Sequence, residues 1–231
     1  MDIEVNVTNP AEFFASLGTL ELTGGRSSFT GDGNVVTFAV TTDKELPDLK
    51  TLPVTSHPFD DAGTAPVTVG DLRLDWWLDV FRGEACGLKL WAGTCCPLNM
   101  LRNYQKLMPT VQLPVHDLLG FNVRTKTKST FNLDTRASRN PLGAGFSEKE
   151  AGESSRVFPY AEFLCAVGLQ NFSTRPSSLR FDYRTWGRAI PLSIAHGAVR
   201  QDVPGLGSRL FEVTLDFVSN GMKEVSQVVC V

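Results

Sequence analysis

Along the opening residues Ile3, Val5 and Val7 alternate with Asp2, Glu4 and Asn6, the period-2 pattern of a strand with one buried face. Asn9 then offers a helix cap and Pro10 suits the first helical position. Glu12, three residues past the cap, can reach back to its amide, and Phe13, Leu17 and Leu20 follow at helical spacing. Gly24-Gly25 stops that helix, and Phe29 to Val40 reads as a hairpin turning at Gly31-Asp32-Gly33. Residues 43–66 carry Pro47, Pro53, Pro58 and Pro66 among few apolar runs and read as a long surface loop. Leu72 to Trp77 and Leu88 to Trp91 look like short strands. A helix is expected from Pro97, with Met100, Tyr104 and Leu107 on one side, ending before Pro109. Strand-like alternation returns over 121–133, at Leu179 to Ile194, at Leu210 to Val218 and at Met222 to Val231.

The sum is an α+β fold, a predominantly antiparallel sheet arrangement with a few packed helices. The polar stretch from Glu148 to Ser155 offers nothing to bury, so it is the expected boundary between an N-terminal α+β part, 1–147, and a C-terminal α+β part, 156–231, unless the two form one continuous domain. Ala11 to Gly18 aligns with Ala161 to Gly168, and Pro10 and Pro159 stand just ahead of the two stretches. Two related halves would produce that echo; so would the small vocabulary of amphipathic helices.

Composition narrows the function classes. A chain of 231 residues with 42% hydrophobic and 20% charged residues can bury a sizeable core. No apolar run approaches the roughly 18 residues of a membrane-spanning helix, and Met1 to Val7 lacks a signal-peptide pattern, so a cytoplasmic protein without a membrane partner is expected. Five cysteines, with Cys95-Cys96 adjacent and no C-x-x-C, support neither a disulfide framework nor a zinc site; reduced, mostly buried thiols are expected. A net charge of −3 argues against phosphate binding over the whole surface, so any basic surface must be local.

Two local candidates exist. Arg124, Lys126 and Lys128 alternate with Val123, Thr125 and Thr127, which in a strand sends the three cations to one face; Arg136 and Arg139 extend the basic character, with Asp134 opposing them. Such a face could track a phosphate backbone, and it could equally be a strand edge guarded against aggregation. The second stripe is Arg180, Arg184, Trp186 and Arg188 on one parity, with Phe181 and Tyr183 on the other. Cations beside an indole can hold phosphates and stack a base, whereas a core tryptophan with ion-paired arginines is the plainer reading. At least one of Trp76 and Trp77 should be buried, since adjacent strand residues face opposite ways.

Catalytic motifs are scarce. His57, His116 and His196 form no metal-ligand pair, and there is no Walker loop, nucleophile elbow or dinucleotide fingerprint, so no metal, cofactor or catalytic residue is expected. One enzymatic alternative rests on His196, upstream of the glycine-rich turn Pro204 to Arg209. A metal-independent RNA-processing endonuclease could use that histidine as general base and that turn to grip phosphate.

Four blocks together resemble a known family. Asn9 to Ala15 forms the first, and Leu72 to Asp79 followed by Leu88 to Gly93 the second. Leu133 to Asn140 running to Ser147 forms the third, and Ala161 to Gln170 with Tyr183 to Trp186 and Pro191-Leu192 the fourth. In order and rough spacing they are similar to a CRISPR-associated family of subtype I-G (formerly I-U), treated as a large-subunit equivalent of its Cascade effector complex. Leu142-Gly143 stands where that pattern carries an acidic residue, and the chain is compact for a large subunit. The resemblance implies a non-catalytic subunit of an antiviral type I effector complex. Its partners would be other effector subunits, guide RNA and target DNA, with a helicase-nuclease recruited in trans for cleavage. A purely protein-binding scaffold in the same assembly is the remaining alternative.

Overall fold

The computed structural model describes residues 1–56, 65–79, 84–85, 88–91, 95–126, 130–137, 155–172, 174, 176, 179–217 and 222–231. The first half runs β1 (Asp2–Asn6), α1 (Pro10–Thr23), β2 (Arg26–Thr30), β3 (Val35–Thr41), β4 (Val54–Ser56), β5 (Val67–Val69), β6 (Leu72–Leu74), β7 (Leu78–Asp79), β8 (Glu84–Ala85) and α2 (Pro97–Leu107). After it come β9 (Val123–Thr125), β10 (Ser155–Val157), α3 (Pro159–Phe172), β11 (Arg180–Thr185), β12 (Ile190–Pro191), α4 (Leu192–Ala198), β13 (Arg209–Phe217) and β14 (Lys223–Cys230). All strand pairings are antiparallel among the described residues, and the fold is α+β. No helix among the described residues is long and apolar enough to cross a membrane.

Two of the sheets pack against α1, where Phe13 and Phe14 meet Phe29, Phe181 and Tyr183. One has the order β1-β3-β2-β12, so a strand from the C-terminal part completes the N-terminal sheet; the other has the order β11-β13-β14. The helices α1 and α3 are buried almost all round, which their near-continuous apolar sequences permit and a surface helix would not. They meet backbone to backbone. A Cβ on Gly18 would collide with the Leu164 carbonyl oxygen, and a Cβ on Gly168 with the Phe14 carbonyl oxygen. Because Phe14 and Gly18 align with Leu164 and Gly168 in the sequence echo, the contact is reciprocal, as two copies of one motif related by a two-fold would make it.

Aromatic rings carry the core between the layers. Phe29, Phe13, Tyr183 and Phe211 stack in a row, with centroid separations of 5.5, 4.2 and 5.5 Å. The Tyr183 hydroxyl donates to the Val7 carbonyl at 2.6 Å, which ties the C-terminal sheet to the end of β1. A second group, Trp76, Trp77, Trp91 and Phe131, lies beside α3, whose Ala166 carbonyl accepts the Trp76 indole N–H at 2.9 Å. Buried apolar residues from Ile3 to Val225 form one cluster spanning both parts of the chain.

Several expectations change. Asn9 makes no side-chain cap, because its amide is committed to Glu12 and Asp134 and its carbonyl oxygen to Thr135 N–H. Within 43–66, Leu46 and Leu49 are buried and Val54–Ser56 pairs as a strand, so part of the supposed surface loop is core. Trp76 and Trp77 lie in a turn and are both buried; Leu88 to Trp91 is buried but not a strand. Leu192 to Ile194 begins a helix rather than ending a strand. Of the described cysteines Cys165 alone is buried, while Cys95 and Cys96 are half-buried and Cys230 is exposed.

The glycine contact generates a prediction. Gly18→Ala or Gly168→Ala should cost about 3 kcal/mol or more, because backbone atoms must separate to admit the methyl group. Gly197→Ala in α4, where nothing lies within 4 Å, should be neutral or stabilise by up to about 1 kcal/mol. Urea-unfolding midpoints of the three variants check both directions.

Candidate nucleic-acid interface

Of the strand-like alternation expected over 121–133, Val123–Thr125 is realised as β9, paired with β10 in a two-stranded ribbon, while residues 130–133 are not a strand. Val123 pairs with the buried Val157, and below the ribbon Phe121 packs edge-on against Tyr160 at 5.8 Å, so one side is anchored to the body. The opposite side carries charge. Arg124 faces Arg156 directly across the strands, both are exposed, and exposed Lys126 follows one step along. None of the three has an ion-pair partner among the described residues. Like charges set directly opposite destabilise a strand pair, so this arrangement costs stability unless an external anion neutralises it.

Arg156 escaped the sequence reading, since it sits in a polar stretch without alternation and only the strand register brings it opposite Arg124. Lys128 and Arg139 lie outside the described residues, as do His57 and 148–154 of the expected linker.

Arg136 is not part of this surface. Its guanidinium grips Asp134 through two hydrogen bonds of 2.9 and 2.7 Å, bonds Glu12 at 3.0 Å, donates to the Leu119 carbonyl and lies 3.6 Å above the Phe158 ring. Burial disfavours its charge, and Asp134, Glu12 and Glu162 more than offset that, raising its pKa. The reason it points inward is the set of carboxylates that the helix pair carries into the core.

Glu162 is the extreme member of that set. Burial, then the nearby Asp134 charge, push its carboxyl pKa up to about 8. Its Oε2 accepts the Phe131 N–H at 2.9 Å and the Tyr104 hydroxyl at 3.3 Å, whereas Oε1 is buried without a partner among the described residues. With Leu133 accepting the Ala11 N–H and Asn9 accepting the Thr135 N–H, these bonds fix the chain that follows the basic strand.

The second stripe breaks up. Arg180 is exposed and Arg184 half-buried, but Asp182 lies between them and pairs across with Glu212, so that face is mixed in charge. Trp186 is 0% exposed, its indole N–H donates to the Ser27 carbonyl at 2.9 Å, and Phe29 lies edge-on to it at 5.1 Å. The strand ends at Thr185 and the chain bends inward, so parity no longer holds and Trp186 is a core residue rather than a stacking platform. Arg188, past the bend, is exposed.

His196 meets Glu21 at 2.9 Å and packs edge-on against Phe172 at 4.7 Å. The turn from Pro204 to Arg209 makes its contacts with Gly187, Asp202 and Gly33, so the structure does not bring histidine and turn together. Among the described residues no group of three or more histidine, cysteine or acidic side chains could hold a metal ion.

Compared with family models, curated proteins and solved structures, the chain matches none. The ribbon's geometry and the sequence resemblance therefore carry the functional reading between them.

The raised Glu162 pKa predicts a pH dependence. A carboxyl with a folded pKa near 8 and an unfolded value of 4.5 favours the fold fully below the unfolded value, and that contribution is lost as pH rises through the folded value. Glu162→Gln keeps an acceptor for Phe131 N–H and removes the titration. Its melting temperature should exceed that of the wild type increasingly as pH is raised across this window. Parallel melting curves at the two ends would check it.

Proposed function

We propose that this chain is a non-catalytic, cytoplasmic subunit of a type I CRISPR effector complex that holds nucleic acid through the β9–β10 ribbon. The single observation that supports the reading best is the juxtaposition of Arg124, Arg156 and Lys126, exposed and without ion-pair partners among the described residues. Exposed cations in a row neutralise phosphates, release counterions and position a strand without reading its sequence. The overall charge of −3 argues against phosphate binding over the whole surface and in favour of local sites. Guide RNA and target DNA are both ligands of this kind, and cleavage falls to a helicase-nuclease in trans. The family resemblance of the four sequence blocks names the assembly.

The ribbon yields a prediction with two opposed signs. Arg124→Glu should place a carboxylate opposite Arg156 and stabilise the free protein by about 0.2–1 kcal/mol, since an opposite-charge cross-strand pair replaces a repulsive one. The same variant should bind single-stranded nucleic acid more weakly, with a salt dependence shallower by roughly one to two counterions. A scaffold role predicts unchanged affinity. Co-purification of the tagged protein with its neighbouring gene products and a CRISPR array, followed by sequencing of bound RNA, tests the assembly; a lone protein without RNA overturns it.

A further inference from the structure

A cleft of about 450 Å³ opens at the other end of the molecule, between two glycine turns that the β2–β12 pairing brings face to face. One wall is the β2–β3 hairpin turn with Gly31 and Asp32; the other is Gly187, Gly207 and Arg209. Buried Phe29 and Val36 contribute its apolar surface. Glycines leave the main chain of both turns uncovered.

The second wall is built to meet an anion. Gly207 at φ +67° lines this wall; Gly205, two residues earlier, also has positive φ at +81°, and the Leu206 N–H between them is taken by the Val203 carbonyl. The N–H groups of Gly205, Gly207 and Ser208 have no acceptor among the described residues. Arg209 reaches across the cleft to donate to the Gly33 carbonyl at 2.9 Å and touches Cys230 Sγ at 3.9 Å. No carboxylate pairs with it among the described residues, and a guanidinium has five N–H donors, so charge and donors remain for a ligand. Exposed Arg188 adjoins Gly187.

The first wall carries the opposite chemistry. Asp32 lines the cleft, is exposed and has no hydrogen-bond or ion-pair partner among the described residues. A carboxylate repels a bare phosphate, but it accepts a hydrogen bond from a hydroxyl group, and each ribonucleotide of a strand carries a free 2′-hydroxyl on the sugar that bears its phosphates. The 2′-hydroxyl is the group that separates RNA from DNA.

We infer that this cleft holds one ribonucleotide of a single-stranded RNA, its phosphate against Gly207 and Arg209 and its 2′-hydroxyl on Asp32. The inference rests on the nucleic-acid reading and deepens it by assigning RNA to a second site, away from the ribbon. It involves binding alone.

Fluorescence anisotropy of the purified full chain with a short labelled oligouridylate and the oligodeoxyuridylate of equal length tests it. Arg209→Ala should weaken RNA binding roughly tenfold. Asp32→Ala should lower the RNA-over-DNA preference roughly fivefold, with DNA affinity unchanged or improved because a repulsive charge is gone. Asp32 is exposed and makes no hydrogen bond or ion pair with the described residues, so its variant should stay folded and remains informative if Arg209→Ala melts. RNA affinity and preference unaltered in both variants, with affinity reduced in Arg124→Glu, would overturn the cleft and leave the ribbon standing. Absence of RNA and DNA binding by the wild type would overturn both.

Discussion

The close approach of α1 and α3 at Gly18 and Gly168 is the constraint on which the remaining geometry depends. With carbonyl groups sitting where a Cβ would be, the two helices touch backbone to backbone, and everything attached to their N-terminal turns is drawn together. Each of those turns carries a glutamate, Glu12 and Glu162. Burying carboxylates near one another in a low-dielectric interior demands either a counter-charge or a proton. Here Glu12 has the counter-charge in Arg136, and Glu162 has burial and the Asp134 charge favouring the proton. A buried ion network of this kind contributes little net stability, because desolvation offsets most of the attraction. What it does is specify a path: Asp134 and Arg136 must lie against the helix pair, and that fixes residues 130–136 and thereby the exit from the basic strand.

Cations in this chain consequently divide into two kinds. Arg136 is surrounded by carboxylates and an aromatic face and serves the fold. Arg124 and Arg156 are placed against each other where the fold would prefer opposite charges. Sacrificing local stability at one surface while satisfying charge carefully in the interior is the pattern expected where an external ligand completes a site. Arg209 falls between these extremes, held in position by a carbonyl yet without a carboxylate partner among the described residues.

Much of the architecture was legible because periodicity reports burial. The strand β1, the helices α1, α2 and α3, the hairpin at Gly31-Asp32-Gly33 and the strands β13 and β14 all follow from local pattern and turn chemistry. What failed was long-range. Trp186 obeys the alternation of its strand on paper, but the strand ends one residue earlier and the ring turns in beneath Phe29. Arg136 looked like a continuation of a basic stripe because nothing local reveals that Glu12, over a hundred positions away, would be buried beside it. Arg156 carries no signal at all without the register that sets it opposite Arg124. The proline-rich 43–66 stretch concealed a piece of core because Leu46 and Leu49 are held by distant groups: the Gln105 side chain bonds the Leu49 carbonyl at 2.7 Å.

The same long-range logic bears on the supposed division into two parts. The polar stretch before Ser155 suggests a boundary, yet β12 closes the N-terminal sheet, Tyr183 bonds the end of β1, and the Trp186 indole bonds β2. The sheet packing that surrounds α1 therefore requires residues on both sides of the stretch. If the repeated helix motif reflects duplication, the two copies have since exchanged strands and carboxylate partners to the point where neither could close its own core. The cleft of glycine turns is a direct product of that exchange, since one wall comes from β2–β3 and the other from the segment that β12 ties to it. A site made this way exists only in the assembled chain, which is why neither turn, taken alone in the sequence, announces it.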